Sequence, residues 1–266
     1  MPRTACDTVL TASPAATVAL FLSDVHLQAD APRTVRAFFD FLRQASEVAQ
    51  LYILGDLFEY WAGDDDLDAP FNASVVNALR ALHDTGVAIF WIAGNRDFLV
   101  GERFARAAGV TLLADPSIIT VAGRRIVIAH GDMQCTDDVD YQLFRAQVRN
   151  PQWQQDFLAQ PLHQRLALIG RLREGSRAAQ REKTVAIMDV NLQAIEALFA
   201  QSGADLMIHG HTHRPGQHVH VIEGVRRERH VLPDWDCETS ASRGGGVAID
   251  ADGILHDVPL RMSMTS

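Results

Sequence analysis

Short apolar runs alternate with amphipathic stretches through the first half of the chain. Each run has a few consecutive apolar residues, which is typical of strands buried on both faces. The predicted strands cover residues 17–23, 51–54, 87–92 and 125–129. Between them, segments 34–49 and 72–84 have apolar side chains at helical spacing. This alternation predicts a mostly parallel sheet with helices on its faces.

The second half follows a different pattern. From about residue 137 to 190 the sequence predicts helices alone, rich in Arg and Gln, so we expect an inserted helical cap. Segment 205–208 predicts another core strand, and 217–232 and 246–259 each predict a β-hairpin with a Gly in its turn. At this length we expect one domain spanning 1–266, with the cap as an insertion.

The composition excludes several classes of protein. A hydrophobic fraction of 47% with 21% charged residues supplies a packed core rather than a disordered chain or a coiled coil. The 24 Lys and Arg against 33 Asp and Glu give a net charge of −9, which does not attract nucleic acid. An anionic ligand must therefore be held by local charge.

The cysteines and the apolar runs indicate the compartment. Cys6, Cys135 and Cys237 form no CxxC pair, which predicts neither a disulfide framework nor a thiolate zinc site. No apolar run approaches the roughly 18 residues of a spanning helix, and the first one, ended by Asp24, is too short for a secretion signal. We expect a cytoplasmic protein.

Polar motifs follow five of the predicted strands, at the point where each strand ends. The motifs are Ser23-Asp24-Val25-His26, Gly55-Asp56, Gly94-Asn95-Arg96-Asp97, His130-Gly131-Asp132 and His209-Gly210-His211-Thr212-His213. Each motif alone is a common turn or cap. Because sites in open α/β sheets form at the carboxyl ends of strands, we expect the five to share one edge, called the rim below. Their oxygen and nitrogen ligands, without thiolate, predict a site for hard divalent cations.

This series of motifs resembles the calcineurin-like binuclear metallophosphoesterases, over about residues 24–213. The resemblance implies an α/β fold whose two-sheet core is flanked by helices (α/β/β/α), with a helical cap. It also implies two divalent metal ions, for which Mn²⁺ suits the ligands best. The implied ligands are Asp24, His26, Asp56 and His211 for one ion, and Asp56, Asn95, His130 and His209 for the other.

The charge of such a site suits phosphate chemistry. Two divalent ions carry +4 and the carboxylates of Asp24 and Asp56 return −2, which leaves about +2 to meet a phosphate. Two metals roughly 3.5–4 Å apart activate water and clamp the phosphoryl oxygens. Hydrolysis at phosphorus is the predicted reaction.

Arg96 departs from the third motif of the family, which usually has His at this position to protonate the leaving oxygen. Arginine stays protonated at neutral pH and cannot act as a general acid. An alkoxide leaving group would lack its proton, whereas a phosphate monoester leaves readily as an anion because its second pKa is near 6. We therefore predict cleavage of a pyrophosphate bond, with Asn95 and Arg96 as the catalytic residues beside the metals.

Five longer motifs narrow the resemblance to the UDP-2,3-diacylglucosamine pyrophosphohydrolase family of lipid A biosynthesis. They are GNRD with GDLFEYW (55–61), HGDxxCTDD (130–138), AIMDVN (186–191) and HGHTHRP (209–215). This implies Mn²⁺-dependent hydrolysis of UDP-2,3-diacylglucosamine to lipid X and UMP, by a peripheral protein at the cytoplasmic face of the inner membrane. The substrate contacts carried over from the family are Asn95, Arg96, Asp138, Ser176, Gln180, Lys183 and His209.

Several alternatives remain open at this stage. The leucines and arginines at 162–181 form a basic amphipathic stretch that would seat acyl chains or touch anionic lipid, or else a cap helix with buried leucines and solvated arginines. Cys135 is either a nucleophile or, more simply, an inert buried thiol. Two competing functions remain. One is another phosphodiesterase or nucleotide pyrophosphatase of this fold, and the other is a non-catalytic binding module with the same fold.

Overall fold

The computed structural model describes residues 16–182 and 189–260, and for 174–182 the backbone alone. This part of the chain contains eleven strands and seven α-helices. The strands are β1 (Thr17–Leu22), β2 (Gln50–Leu54), β3 (Ala88–Ile92), β4 (Val110–Leu113), β5 (Ser117–Val121), β6 (Arg124–Ala129), β7 (Leu206–His209), β8 (Gly216–Ile222), β9 (Val225–Val231), β10 (Gly245–Asp250) and β11 (Leu255–Pro259). The helices are α1 (Pro32–Gln44), α2 (Pro70–Asp84), α3 (Glu102–Ala108), α4 (Val139–Val148), α5 (Pro151–Leu158), α6 (Leu162–Glu182) and α7 (Leu192–Ser202).

The strands form two sheets. The first has the order β11-β10-β1-β2-β3-β4, in which β1 to β4 are parallel and β10 and β11 add an antiparallel hairpin. The second has the order β5-β6-β7-β9-β8, in which β6, β7 and β9 are parallel and β5 and β8 lie antiparallel at its edges. In both sheets the parallel strands end on the same side as the polar motifs, which puts the motifs within reach of one another.

The sheets pack face to face and helices cover their outer faces. Between the sheets, Phe21, Tyr52 and Phe90 stack with ring centroids 4.8 Å apart, opposite Ile126 and Ile208 of the second sheet. Helices α1, α2 and α3 bury their apolar sides on the outer face of the first sheet, and α7 does so on the second. This confirms the α/β/β/α core.

The expectation of one mostly parallel sheet, drawn from the alternation alone, is wrong. An apolar run predicts burial but not the sheet in which the strand pairs. The sequence analysis also missed α3, β4, β5 and α7. The strands β4 and β5 are only four and five residues long and partly exposed, so their periodicity is weak. The two predicted hairpins are confirmed as β8–β9 and β10–β11.

Helices α4, α5 and α6, called the cap below, occupy the described part of the predicted insertion. Arg165 of α6 is only 1% exposed and donates to the carbonyls of Gln160 and Ala62 and to the carboxylate of Asp65. A solvated or lipid-facing role is therefore wrong for this arginine, because it fastens the cap to the core. In the part of the chain with assigned structure, no helix is both long and apolar enough to span a membrane.

Candidate metal centre

Several rim residues, at the ends of the strands, have an unusual backbone conformation. Asp24, His26, Asp56, His211 and His213 all have positive φ, between 52 and 66°. Asp and His adopt this left-handed region more readily than most residues, and such conformations cluster at functional sites. The sharp turns stop the strands and direct these side chains into one space above the rim.

Asp97 ties the second and third strand ends together. Its carboxylate accepts four backbone N–H groups, from Asp56, Leu57, Phe58 and Gly94, at 2.8–3.4 Å. Gly94 is needed here because a Cβ at this position would collide with the Asp56 carboxylate. The predicted third motif therefore contains a residue, Asp97, whose role is to shape the backbone.

One cluster of possible ligand atoms joins the first and last motifs. Asp24, His26 and His213 each offer an atom within 4.8 Å of the others. His213 Nε2 lies 3.2 Å from His26 Nε2 and 3.5 Å from Asp24 Oδ1. The sequence analysis did not assign His213 to the metal set, although its position two residues after His211 was a signal that could have found it.

A second cluster is formed by Asp24, Asp56 and His130, again within 4.8 Å of one another. His130 Nε2 lies 3.7 Å from Asp56 Oδ1 and 2.9 Å from the amide oxygen of Asn95. The same oxygen is 2.9 Å from Nδ1 of His211. Six of the seven predicted ligands, all except His209, are thus linked by contacts between their side chains or through Asp24 and Asp56.

His209 is buried at the rim, but its ring nitrogens contact groups outside the predicted ligand set. Its Nε2 lies 3.0 Å from the guanidinium of Arg229, and its Nδ1 lies 2.9 Å from the carbonyl oxygen of Gly210. Burial and the neighbouring Arg229 charge lower the pKa of His209 to about 3. The imidazole is therefore neutral, as a ligand requires, but its metal-binding and substrate-binding roles stay predictions.

Burial and neighbouring charges raise the pKa values of Asp56 and His130 and lower that of Asp24. Burial raises the pKa of Asp56 to about 7. Burial opposes protonation of His130, but the charges of Asp56 and Asp132 outweigh it and raise the pKa of His130 to about 9. For Asp24, burial is likewise outweighed, here by contact with His213 and by the His130 charge, and its pKa falls well below the usual range. Such opposed shifts are typical of functional sites.

The donor chemistry fits divalent cations. Asp24 Oδ1 is buried and makes no hydrogen bond to any residue that the structure describes, its 3.5 Å contact with His213 being too long. A buried carboxylate oxygen left this way is costly unless a cation or donor meets it. Two carboxylates, an amide oxygen and several imidazoles, once these are deprotonated, are the oxygen and nitrogen ligands that Mn²⁺ and Fe accept.

A cavity of about 680 Å³ lies between the rim and the cap. It is lined by rim residues, including Asp56, Asn95, Arg96 and His211. It is also lined by apolar side chains of the cap and of the segment after β3, which are Phe98, Leu99, Phe144, Val148, Trp153, Phe157, Ile169 and Leu172. The cavity thus has both polar and apolar lining.

The remaining predicted contacts have different outcomes. Asp138 lines the cavity and caps α4 by accepting the Tyr141 N–H at 3.2 Å. The side chains of Ser176 and Gln180, and Lys183 as a whole, lie outside the described residues. Cys135 also lines the cavity, but burial raises the pKa of its thiol to about 12, so the nucleophilic thiolate does not form near neutral pH.

Two sheets whose strand ends gather carboxylates, an amide and imidazoles beside one cavity are the arrangement expected of a metal-dependent phosphoesterase. In agreement, the sequence profile of the calcineurin-like phosphoesterases matches residues 18–215. The chain belongs to the calcineurin-like phosphoesterase family.

Among its relatives are three proteins named UDP-2,3-diacylglucosamine hydrolase. The chain is 51% identical to the one from Aromatoleum aromaticum, over 86% of this chain and 93% of that protein. It is 50% identical to the one from Cellvibrio japonicus, over 81% of this chain and 90% of that protein. With the one from Bordetella pertussis the identity is 45%, over 87% of this chain and 91% of that protein.

Proposed function

We propose that this protein hydrolyses the pyrophosphate bond of UDP-2,3-diacylglucosamine, giving 2,3-diacylglucosamine 1-phosphate (lipid X) and UMP, as a step of lipid A biosynthesis. The names of the relatives support this substrate. The observation that carries the proposal is a cavity lined both by the rim and by apolar side chains of the cap. A diphosphate held at the polar rim leaves the apolar lining for acyl chains.

The rim residues would hold two divalent cations, most suitably Mn²⁺. Asp24, His26, Asp56 and His211 are proposed for one ion, with Asp56 shared and Asn95, His130 and His209 for the other. When bound, such ions lower the pKa of water and neutralise charge on the phosphoryl oxygens. The protein itself orients the ligands through Asp97 and through the turned strand ends.

Arg96 is proposed to neutralise the charge of the diphosphate. Its backbone N–H donates to Asp56 at 2.9 Å, and its guanidinium is partly exposed and lines the cavity. Arg96 cannot donate a proton to a leaving alkoxide, but a departing sugar phosphate needs none near pH 7. Asn95, with its amide oxygen between two imidazoles, is the companion catalytic residue. Asp138, Ser176, Gln180 and Lys183 are the further substrate contacts proposed.

Incubation of the Mn²⁺-loaded protein with UDP-2,3-diacylglucosamine in oxygen-18 water tests the proposal. Attack at the phosphorus next to uridine transfers one oxygen from water to UMP and releases the sugar phosphate unlabelled. We expect labelled UMP by mass spectrometry. Equal turnover of nucleotide diphosphate sugars without acyl chains would instead favour a general nucleotide pyrophosphatase, and absence of UMP would refute the proposal.

We propose further that the protein acts as a peripheral protein on the cytoplasmic face of the inner membrane, with its cap toward the lipid. Val139 and Leu143, one turn apart on α4, are 63% and 67% exposed, and Leu172 beside the cavity is 41% exposed. Exposed apolar side chains of this kind partition into a membrane interface. A cap-first contact would let acyl chains enter the cavity without crossing water.

Vesicle binding tests the membrane contact. Replacement of Arg171 and Arg177 by Gln should weaken sedimentation with vesicles that contain anionic phosphatidylglycerol. Arg226→Gln, at an exposed arginine of β9, is the matched control and should leave binding unchanged. Unchanged binding of the double variant would indicate that the cap does not contact the membrane through these arginines.

A further inference from the structure

Glu59 lies three residues after Asp56 and is a carboxylate on which the rim and α6 of the cap meet. It is 7% exposed. Its backbone is fixed by a hydrogen bond from its own N–H to the carbonyl of Leu27, at 3.1 Å. The adjacent Phe58 forms an isolated parallel bridge with Leu27. The side chain therefore extends into the cavity from a rigid segment.

Two guanidinium groups from different parts of the fold converge on this carboxylate. Arg96, in the turn after β3, donates from Nη1 to Glu59 Oε1 at 2.9 Å. Arg173, on α6 of the cap, donates to the same oxygen. The other oxygen, Oε2, lies 3.4 Å from His26 Nδ1.

The arrangement leaves part of Arg96 available to a ligand. Its Nε is 3.5 Å from Asp56 and its Nη1 is held by Glu59. No hydrogen bond from Nη2 to a described residue is found, and the side chain is 27% exposed. Nε makes no hydrogen bond to a described residue, so Glu59 is the group that holds the guanidinium and fixes the direction of Nη2. A fixed donor costs less entropy when it binds phosphate.

Two positive groups are placed to meet an anionic ligand at this point. The guanidiniums of Arg96 and Arg173 both line the cavity and share the Glu59 carboxylate. Arg173 also lies over the ring of Tyr60, at 5.3 Å from the centroid, which fixes its side chain further. Diphosphate between the rim and the cap would meet both guanidiniums without either having to be recruited from solvent.

We propose that Glu59 is a positioning residue, which aims Arg96 at the diphosphate and ties it to Arg173 of the cap. This inference rests on the proposed function. A positioning role differs from a purely structural one in one respect, because the effect of Glu59 on kcat then depends on the presence of Arg96. If it does, removing Arg96 first makes the Glu59 substitution nearly silent.

A double-mutant cycle tests this dependence. Glu59→Gln keeps the size of the side chain but removes its charge, and we expect kcat for UMP release to fall about 10- to 100-fold. Arg96→Ala should lower kcat at least as far, and the double variant should lie within about threefold of Arg96→Ala alone. Independent, multiplying losses in the double variant would overturn the proposal.

Asp65→Asn is the matched control, because Asp65 also forms a carboxylate–arginine contact between the core and α6, with Arg165. It should leave kcat unchanged. If it lowers kcat as far as Glu59→Gln does, Glu59 only docks the cap and the proposal is wrong. Mn²⁺ affinity, measured by calorimetry, should be the same in Glu59→Gln and wild type. A large loss would show that Glu59 acts through His26 instead.

Two further measurements keep the inference testable on its own. Glu59→Asp, which retains the charge, should recover part of kcat even if Glu59→Gln folds poorly. The Nε–H signal of Arg96 in nitrogen-15 spectra, identified by its loss in Arg96→Lys, should shift in Glu59→Gln and not in Asp65→Asn. This holds even if the wild-type protein releases no UMP, an outcome that would refute the proposed function alone. An unmoved signal would overturn the positioning role.

Discussion

The rim and the cap are held in place by different kinds of contact. At the rim, the backbone makes the contacts. Four N–H groups donate to Asp97, and the residues with positive φ direct their own carboxylates and imidazoles into the site. The cap is attached by arginine side chains instead. These are Arg145 to Asp132 and Asp115, Arg149 to the carbonyls of Ala93 and Gly94, Arg165 to Asp65 and Ala62, and Arg173 to Glu59.

This difference has a consequence for what each region tolerates. Backbone contacts at the rim fix the direction of each ligand, so a substitution there acts on the chemistry. Side-chain contacts under the cap fix the position of whole helices, so a substitution there acts on substrate entry and stability. Glu59 is the exception, because it also binds Arg96 of the rim. The two regions should therefore respond in separate measurements.

The largest effect is expected at the rim. Asp56→Asn removes the carboxylate proposed to be shared by both ions, and we expect UMP release to fall by about a thousandfold or more. Metal analysis of the purified variant should show fewer than two ions bound. Asp84→Asn, at an exposed helix end, is the control and should match wild type. Retention of both ions and of full activity in Asp56→Asn would contradict the proposed site.

A substitution at Arg96 should change the preferred reaction. Arg96→His provides a group that can protonate a leaving alkoxide but loses the permanent charge. We expect kcat/KM for the diphosphate substrate to fall about a hundredfold while the rate on an alkyl phosphate monoester stays constant or rises. The ratio of the two rates is the measurement. A ratio unchanged from wild type would mean that Arg96 does not set the reaction class.

Loosening the cap should give a smaller and different effect. Arg165→Met removes the buried guanidinium that joins α6 to residues 62–65, and we expect a loss of about 2 kcal/mol in the free energy of unfolding. KM should rise more than kcat falls, because the apolar cap side chains that line the cavity are no longer held in place. Urea denaturation and steady-state kinetics check both, with Arg226→Met as the exposed control. A fall in kcat alone would contradict the separation of rim and cap.

A graded response to pH is expected at the rim. Protons on Asp56, with a pKa near 7, and His130, with a pKa near 9, must leave before a cation binds. Mn²⁺ affinity should therefore rise with pH, about tenfold per unit between 7 and 9 and more steeply below 7. Calorimetric titration at several pH values measures this. A flat profile would mean that neither group is a ligand.

The same contrast explains what could be predicted from the sequence. Strand-end motifs depend on local chain direction, so Asp24, Asp56, Asn95, His130 and His211 were all predicted, and the structure brings them together. Cap contacts depend on which distant carboxylate or carbonyl an arginine reaches, and no spacing encodes that. Arg165 was therefore expected either to touch lipid or to be solvated, and it is buried. The second sheet was missed by periodicity for a related reason, since strand pairing is also non-local.

Asp97 has one last consequence for how the protein is handled. The Asp97 carboxylate joins the ends of the second and third strands by accepting backbone N–H groups. The positions of the metal ligands should therefore not depend on bound metal. Small zinc domains, by contrast, unfold when stripped. Here a chelator should empty the protein and leave it folded, so that a single purified batch can be refilled with different metals and compared side by side.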